Sequence, residues 1–178
     1  GEIPELGIKG LNPQETFYIS ATNKGLPFRG WQKNYLPVGA PPTTGNLLIT
    51  NNAESIKKHI EFFAKNRPDI RNYVNDDLNY VMQDYYMDNS LAKGYDVFKN
   101  LGFSMNGIFK AAHSLPPNKN FIVIMHHEKT TDNYETSYKA KTVGKAVDQY
   151  ITIEGKFEIV LYCKQVRDEQ TKTVKKYF

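Results

Sequence analysis

Residues Ile70 to Tyr85 run IRNYVNDDLNYVMQDY, and two patterns meet inside this stretch. Ile70 to Asn75 has the composition of an extended segment and leads into two acids, Asp76 and Asp77. After them Leu78, Val81, Met82 and Tyr85 recur at the spacing of one helix face. A strand that passes through adjacent carboxylates into a helix is a building unit of an α/β protein, and open α/β sheets bind ligands beyond the C-terminal ends of their strands. The two acids therefore stand where a ligand would be met.

The same alternation extends in both directions. Upstream, Asn51 and Glu54 have capping-box spacing, and Ile56, Ile60 and Phe63 follow as a helix face until Asn66-Arg67-Pro68 stops it. Thr16 to Ser20 (TFYIS) predicts a buried strand and Asn46 to Thr50 a second, separated by the Pro- and Gly-rich stretch from Leu26 to Gly45, a long irregular loop anchored by Phe28 and Trp31. Downstream, Gly94 interrupts the helical pattern, which resumes with Phe98, Leu101, Met105, Ile108, Phe109 and Ala112 and closes at Pro116-Pro117. Phe121 to Met125 (FIVIM) is continuously apolar, as expected of a central strand covered on both faces. Lys129 to Lys145 is polar and predicts a loop, Phe157 to Cys163 predicts another buried strand, and Lys164 to Phe178 predicts a hairpin. The expectation is a single α/β domain spanning 1–178, a three-layer sandwich with a mainly parallel sheet and a C-terminal hairpin within 157–178.

Composition sets the bounds. The chain has 178 residues, enough for one self-supporting core, and its 40% hydrophobic and 24% charged content excludes a mainly disordered protein. No uninterrupted apolar run reaches about 18 residues and no basic-then-apolar leader opens the chain, so the expectation is a protein without a membrane span, located in a cytoplasm. The net charge of +4 and pI near 9.0 fit contact with a polyanion without demanding it. The lone Cys163 cannot form an internal disulfide and is expected to be a buried, inert thiol.

Three groups of residues carry possible chemistry. Asp76 and Asp77 suit a Mg²⁺-bound nucleotide: one hard oxygen ligand for the metal, Asp76, and one group to orient the attacking water, Asp77. A plainer role is to start the next helix, with Asp77 as N-cap. His126-His127-Glu128 follows the apolar strand, which places His126 to sense a terminal phosphate; zinc is disfavoured because H-E-x-x-H is absent and His59 and His113 lie on separate helices. Finally Lys139, Lys141 and Lys145 cluster about Thr142 and Gly144, with Lys129 preceding them and Tyr134 and Tyr138 between. They are suited to DNA phosphates and base stacking, or to the nucleotide of a neighbouring subunit, unless the segment is simply a solvated loop.

The chain resembles the phage-encoded nucleotide-binding proteins of the AAA/RecA-core ATPases, some of them recombinase-like or single-strand annealing proteins. The likeness runs through Leu11-Asn12-Pro13-Gln14-Glu15-Thr16-Phe17, Lys24-Gly25-Leu26-Pro27-Phe28-Arg29-Gly30-Trp31 and Arg67-Pro68-Asp69-Ile70 up to Asp76-Asp77. It continues through Gly94-Tyr95, Phe98, the strand before His126, Thr142-Val143-Gly144-Lys145 and Glu154-Gly155. The resemblance implies a RecA-like P-loop NTPase fold, ATP and Mg²⁺ as ligands, and ATP hydrolysis in phage DNA recombination, repair or replication in the host cytoplasm. Asp76 and Asp77 then fill the Walker B role, His126 the sensor position, and Lys145 a nucleotide contact, while Lys129, Lys139 and Lys141 belong to a DNA-contacting segment. Homo-oligomers or filaments on single-stranded DNA, and a single-strand-binding protein as partner, follow from the same likeness. One departure stands out: G-x-x-x-x-G-K-[ST] occurs nowhere in the sequence. The family places that loop just before Leu11-Asn12-Pro13, where this chain has Gly1 to Gly10 and where Lys9 is not followed by Ser or Thr. Gly1 and Glu2 are expected to be the remnant of the loop at the cofactor, with a flexible stretch missing from the sequence. The opposing expectation is a degenerate NTPase fold that scaffolds DNA or replication proteins without hydrolysis.

Overall fold

The computed structural model describes residues 10–26, 28–39, 45–91, 94–132, 135–167 and 174–177. In chain order the elements are β1 (Thr16–Ser20), β2 (Leu47–Ile49), α1 (Ala53–Asn66), β3 (Asn72–Asp76), α2 (Leu78–Asp88) and α3 (Asp96–His113). They are followed by β4 (Asn120–Ile124), β5 (His127–Asp132), β6 (Glu135–Ala140), α4 (Lys145–Asp148), β7 (Lys164–Arg167) and β8 (Val174–Tyr177). β1 to β4 form a four-stranded sheet in the order β2-β1-β3-β4. Every pairing in it is parallel, so the protein is α/β, as its alternating pattern requires. Register brings Ile49, Ser20, Asp76 and Ile124 into one row, which makes the C-terminal ends of the strands a common rim.

The sheet's two faces are covered differently. Phe17, Tyr73 and Phe121 share register and so share a face. There Phe17 stacks on Phe63 of α1 at 3.9 Å between ring centroids, and Phe157 bridges Phe121 to Phe109 of α3. Ile56, Ile60, Leu101, Met105 and Ile108 complete this core, all with no exposed surface. Burying side chains of this size is worth about 1.5–3 kcal/mol each before chain entropy is counted. On the other face Tyr18 and Leu47 pack with Leu26, Tyr35 and Trp31. The segment formed by Leu26 and residues 28–39 therefore covers β1 and β2, in the layer where a helix would otherwise lie. Asn46 ties it down, donating to the carbonyls of Pro13, Thr16 and Asn34 and accepting from the Leu36 amide at 3.0 Å.

Four expectations need correction. FIVIM is not central: β4 ends the strand order, and Ile124 is 48% exposed. Lys129 to Lys145 is not a loop, because most of it belongs to the antiparallel hairpin β5–β6. Its Thr-rich strands are polar on both faces, so no alternation of hydropathy marks them. Phe157 to Cys163 forms no strand, and Ile159 and Leu161 are 77% and 70% exposed. An apolar run becomes a strand only beside a free strand edge, and none among the described residues pairs with this one. Cys163 is accordingly exposed rather than buried. The expected terminal hairpin is present as β7–β8, beginning at Lys164 and not at Phe157.

Candidate functional site

β3 delivers Asp76 to the rim, and the chain then turns abruptly. Asp77 adopts the left-handed conformation with φ 61°, and its carbonyl accepts the Tyr80 amide at 2.9 Å. It occupies the N-cap position of α2, yet its side chain makes no capping bond. Asp77 is thus the N-cap residue, as the plainer role has it, but the capping contact comes from its carbonyl and not from its carboxylate. The carboxylate is turned instead toward the loop after β1 and the end of β4: Thr22 Oγ1 donates to Oδ2 at 3.4 Å, Lys24 Nζ stands 3.5 Å from Oδ2, and His126 Nε2 lies 4.0 Å from Oδ1. With a side chain only 19% exposed, Asp77 does not project into bulk solvent.

Asp76 faces the other way across the rim and accepts a 2.5 Å hydrogen bond from the Tyr18 hydroxyl. Burial, reinforced by this bond and the nearby carboxylate charge, pushes the Tyr18 phenol well above its ordinary range, so it stays protonated and donates. The loop that supplies Thr22 and Lys24 is held against β3 by the Ala21 amide, which donates to the Asp76 carbonyl at 3.2 Å, and is bent by Ser20 Oγ donating to the Thr22 carbonyl. Tyr80 closes the group: Lys24 Nζ lies 4.9 Å from its ring centroid, and the His126 ring meets it edge-on at 5.9 Å. Asn79 accepts from the His126 amide at 3.2 Å, fixing the chain where it leaves β4.

The structure thus brings Asp77 and His126 together from strand ends far apart in the chain, while the side chain of Asp76 turns to Tyr18. It adds Tyr18, Thr22, Lys24 and Tyr80, which sequence reasoning missed. Only Lys24 had a usable signal, a cation in the turn Asn23-Lys24-Gly25 directly after a strand. The other expected residues lie elsewhere. Lys139 is held between Glu128 at 3.0 Å and Asp148 at 2.9 Å, contacts that raise its pKa, with the Asp148 hydrogen bond the larger influence. It joins the hairpin to α4 and does not extend into solvent. Lys129 is exposed and pairs in register with Tyr138, which meets His127 at 5.5 Å and Tyr162 at 6.0 Å. Lys141 is exposed, and its amide donates to the His126 carbonyl at 2.9 Å. Lys145 is exposed at the start of α4 and forms no ion pair with Asp76 or Asp77 among the described residues. Gly1, Glu2 and Tyr134 lie outside the described residues.

A cavity of about 480 Å³ lies at the opposite end of the sheet, lined by Leu115, Phe121 and Phe157 among others, and shares none of these polar groups. Among the described residues no cluster of three or more His, Cys, Asp or Glu is assembled for a metal ion. Asp76 and Asp77 each offer the hard oxygen that Mg²⁺ takes, but their carboxylates engage different partners, Tyr18 for Asp76 and Thr22, Lys24 and His126 for Asp77. Fold and site together define an α/β protein with a parallel sheet and a charged cluster on the C-terminal rim. Comparison with known protein families, with curated proteins and with solved structures finds no match to this chain.

Proposed function

We propose that the chain is a nucleotide-binding domain of the RecA-like P-loop type that binds ATP with Mg²⁺ at the rim of β1, β3 and β4 and hydrolyses it while acting on single-stranded DNA. The observation that carries this reading is the approach of His126 to within 4.0 Å of Asp77, beside Asp76, on the edge where parallel sheets bind ligands. Asp76, with one oxygen engaged by Tyr18, keeps the other for the metal, which when bound would supply Lewis-acid stabilisation of the phosphates. Asp77, whose carboxylate makes no capping bond, orients the attacking water. His126, just beyond the strand that neighbours β3, contacts the terminal phosphate and registers its loss. A parallel α/β sheet is compatible with such a layout and the sequence resemblance motivates the NTPase reading, with a phosphate-binding loop as the part the sequence does not display.

Phosphate release from ATP, with and without single-stranded DNA, tests the reading. Asp77→Asn should reduce turnover at least about 100-fold and leave ATP affinity within a few-fold, as expected for a group acting mainly in the transition state. Undiminished turnover in that variant removes Asp77 from the chemistry, and a purified protein that binds ATP but never releases phosphate leaves the non-hydrolysing scaffold as the better description.

A further inference from the structure

We infer that Lys24 recognises the terminal phosphate of a nucleoside triphosphate at this rim, exchanging its contact with Asp77 for phosphate oxygens when the ligand arrives. This rests on the nucleotide reading above and assigns a residue to it. A triphosphate brought beside Asp76 and Asp77 adds negative charge to two carboxylates, so the site needs positive charge besides the metal. His126 is charged only when protonated; Lys24, 3.5 Å from Asp77 Oδ2, is a cation at neutral pH. Its ammonium also lies 4.9 Å from the Tyr80 ring centroid, so it has a second surface to rest against when it leaves the carboxylate.

Three features favour a ligand contact over a structural one. The Lys24 side chain is 65% exposed, and an ion pair so open to water contributes little to folding. The loop it stands on is nevertheless anchored just upstream, where the Ala21 amide bonds to the Asp76 carbonyl at the end of β3 and Ser20 Oγ bonds to the Thr22 carbonyl. The amine is thus exposed to an arriving ligand while the loop that carries it is tied to the rim two residues upstream. Thr22, donating to the same carboxylate, holds Asp77 in place while Lys24 moves.

The decisive experiment is titration of ATP and of ADP, each with Mg²⁺, into the full chain and into Lys24→Met and Lys24→Arg. Loss of one charge-assisted contact to the terminal phosphate should weaken ATP binding about tenfold or more in Lys24→Met. ADP binding should change less than about threefold, Lys24→Arg should regain most of the loss, and thermal unfolding should not shift. Unchanged ATP affinity in Lys24→Met, or equal weakening of ATP and ADP, overturns the assignment. If the unaltered chain binds neither nucleotide, the nucleotide reading itself fails, and the two failures are thereby told apart.

Discussion

Asn75 sits one residue before the paired acids with no exposed surface, and among the described residues neither its amide nitrogen nor its oxygen has a hydrogen-bond partner. Its register neighbours are Ile19 and Val123, whose side chains offer it none. Tyr73, two residues earlier on the same face, is also wholly buried with an unpartnered hydroxyl, and burial pushes its phenol up to about 12. A buried amide without partners costs about 1–3 kcal/mol, and Leu has the same branched outline of side-chain heavy atoms, with bulkier methyls, without that cost. Asn75→Leu should therefore raise the urea midpoint by an amount equivalent to about 1–3 kcal/mol at unchanged m-value; an unaltered or lower midpoint would mean that the amide is satisfied in solution. Asp77 shows a different tension. Among the described residues it is the non-glycine residue with positive φ, a conformation that Asp tolerates better than most at a cost of about 1 kcal/mol or more. That turn is what swings its carboxylate away from the helix it precedes and toward Lys24 and His126.

Helix α1 shows how an element settles its own boundary. The sequence offers Asn51 and Glu54 as a capping box, but Asn52 takes the cap, accepting the Ser55 amide at 2.9 Å. Asn51 instead donates to Asp84 of α2 at 2.9 Å. Asn52→Ala should cost about 1 kcal/mol in chemical denaturation, while Asn51→Ala, which loses an exposed contact, should cost less than half of that. α3 is fitted as closely: a Cβ on Gly102 would stand 2.7 Å from Cβ of Tyr150, so the helix has a notch for the segment after α4. β5–β6 behaves as an arm attached at its base. The Lys141 amide bonds to His126 at the rim, and Lys139 joins Glu128 to Asp148. Cross-strand pairing places Lys129 opposite Tyr138 and Glu128 opposite Lys139, so the two lysines serve different faces of the ribbon.

At the scale of the molecule, a net charge of +4 gives only a weak general attraction for polyanions, and specific placement has to do the rest. If the hairpin meets single-stranded DNA in the proposed function, Lys129 with its aromatic neighbours is the contact, and Lys139 is not. Lys129→Ala should weaken binding of a single-stranded oligonucleotide and lower the slope of log affinity against log salt by about 0.7. Lys139→Ala should leave that slope unchanged while loosening the hairpin from α4; the opposite ranking in a salt series would reverse the assignment. No helix among the described residues is long and apolar enough to cross a membrane.

The sequence by itself determined the elements whose signals are local. TFYIS, the helix through Ile56, Ile60 and Phe63, the strand ending at Asp76, the helix through Phe98 to Ala112 and the terminal hairpin all appear where periodicity and breakers put them. Only tertiary structure decided which strands have neighbours. FIVIM and the run from Phe157 to Cys163 are both strongly apolar, yet the first pairs with β3 and the second lies largely exposed. Partner edges, unlike periodicity, are not written in a strand's own residues. The site divides along the same line: adjacency made Asp76 and Asp77 legible, whereas Tyr18, Thr22, Lys24 and Tyr80 join them because parallel register lays the end of β1 beside that of β3 and the turn at Asp77 folds α2 back over the same rim.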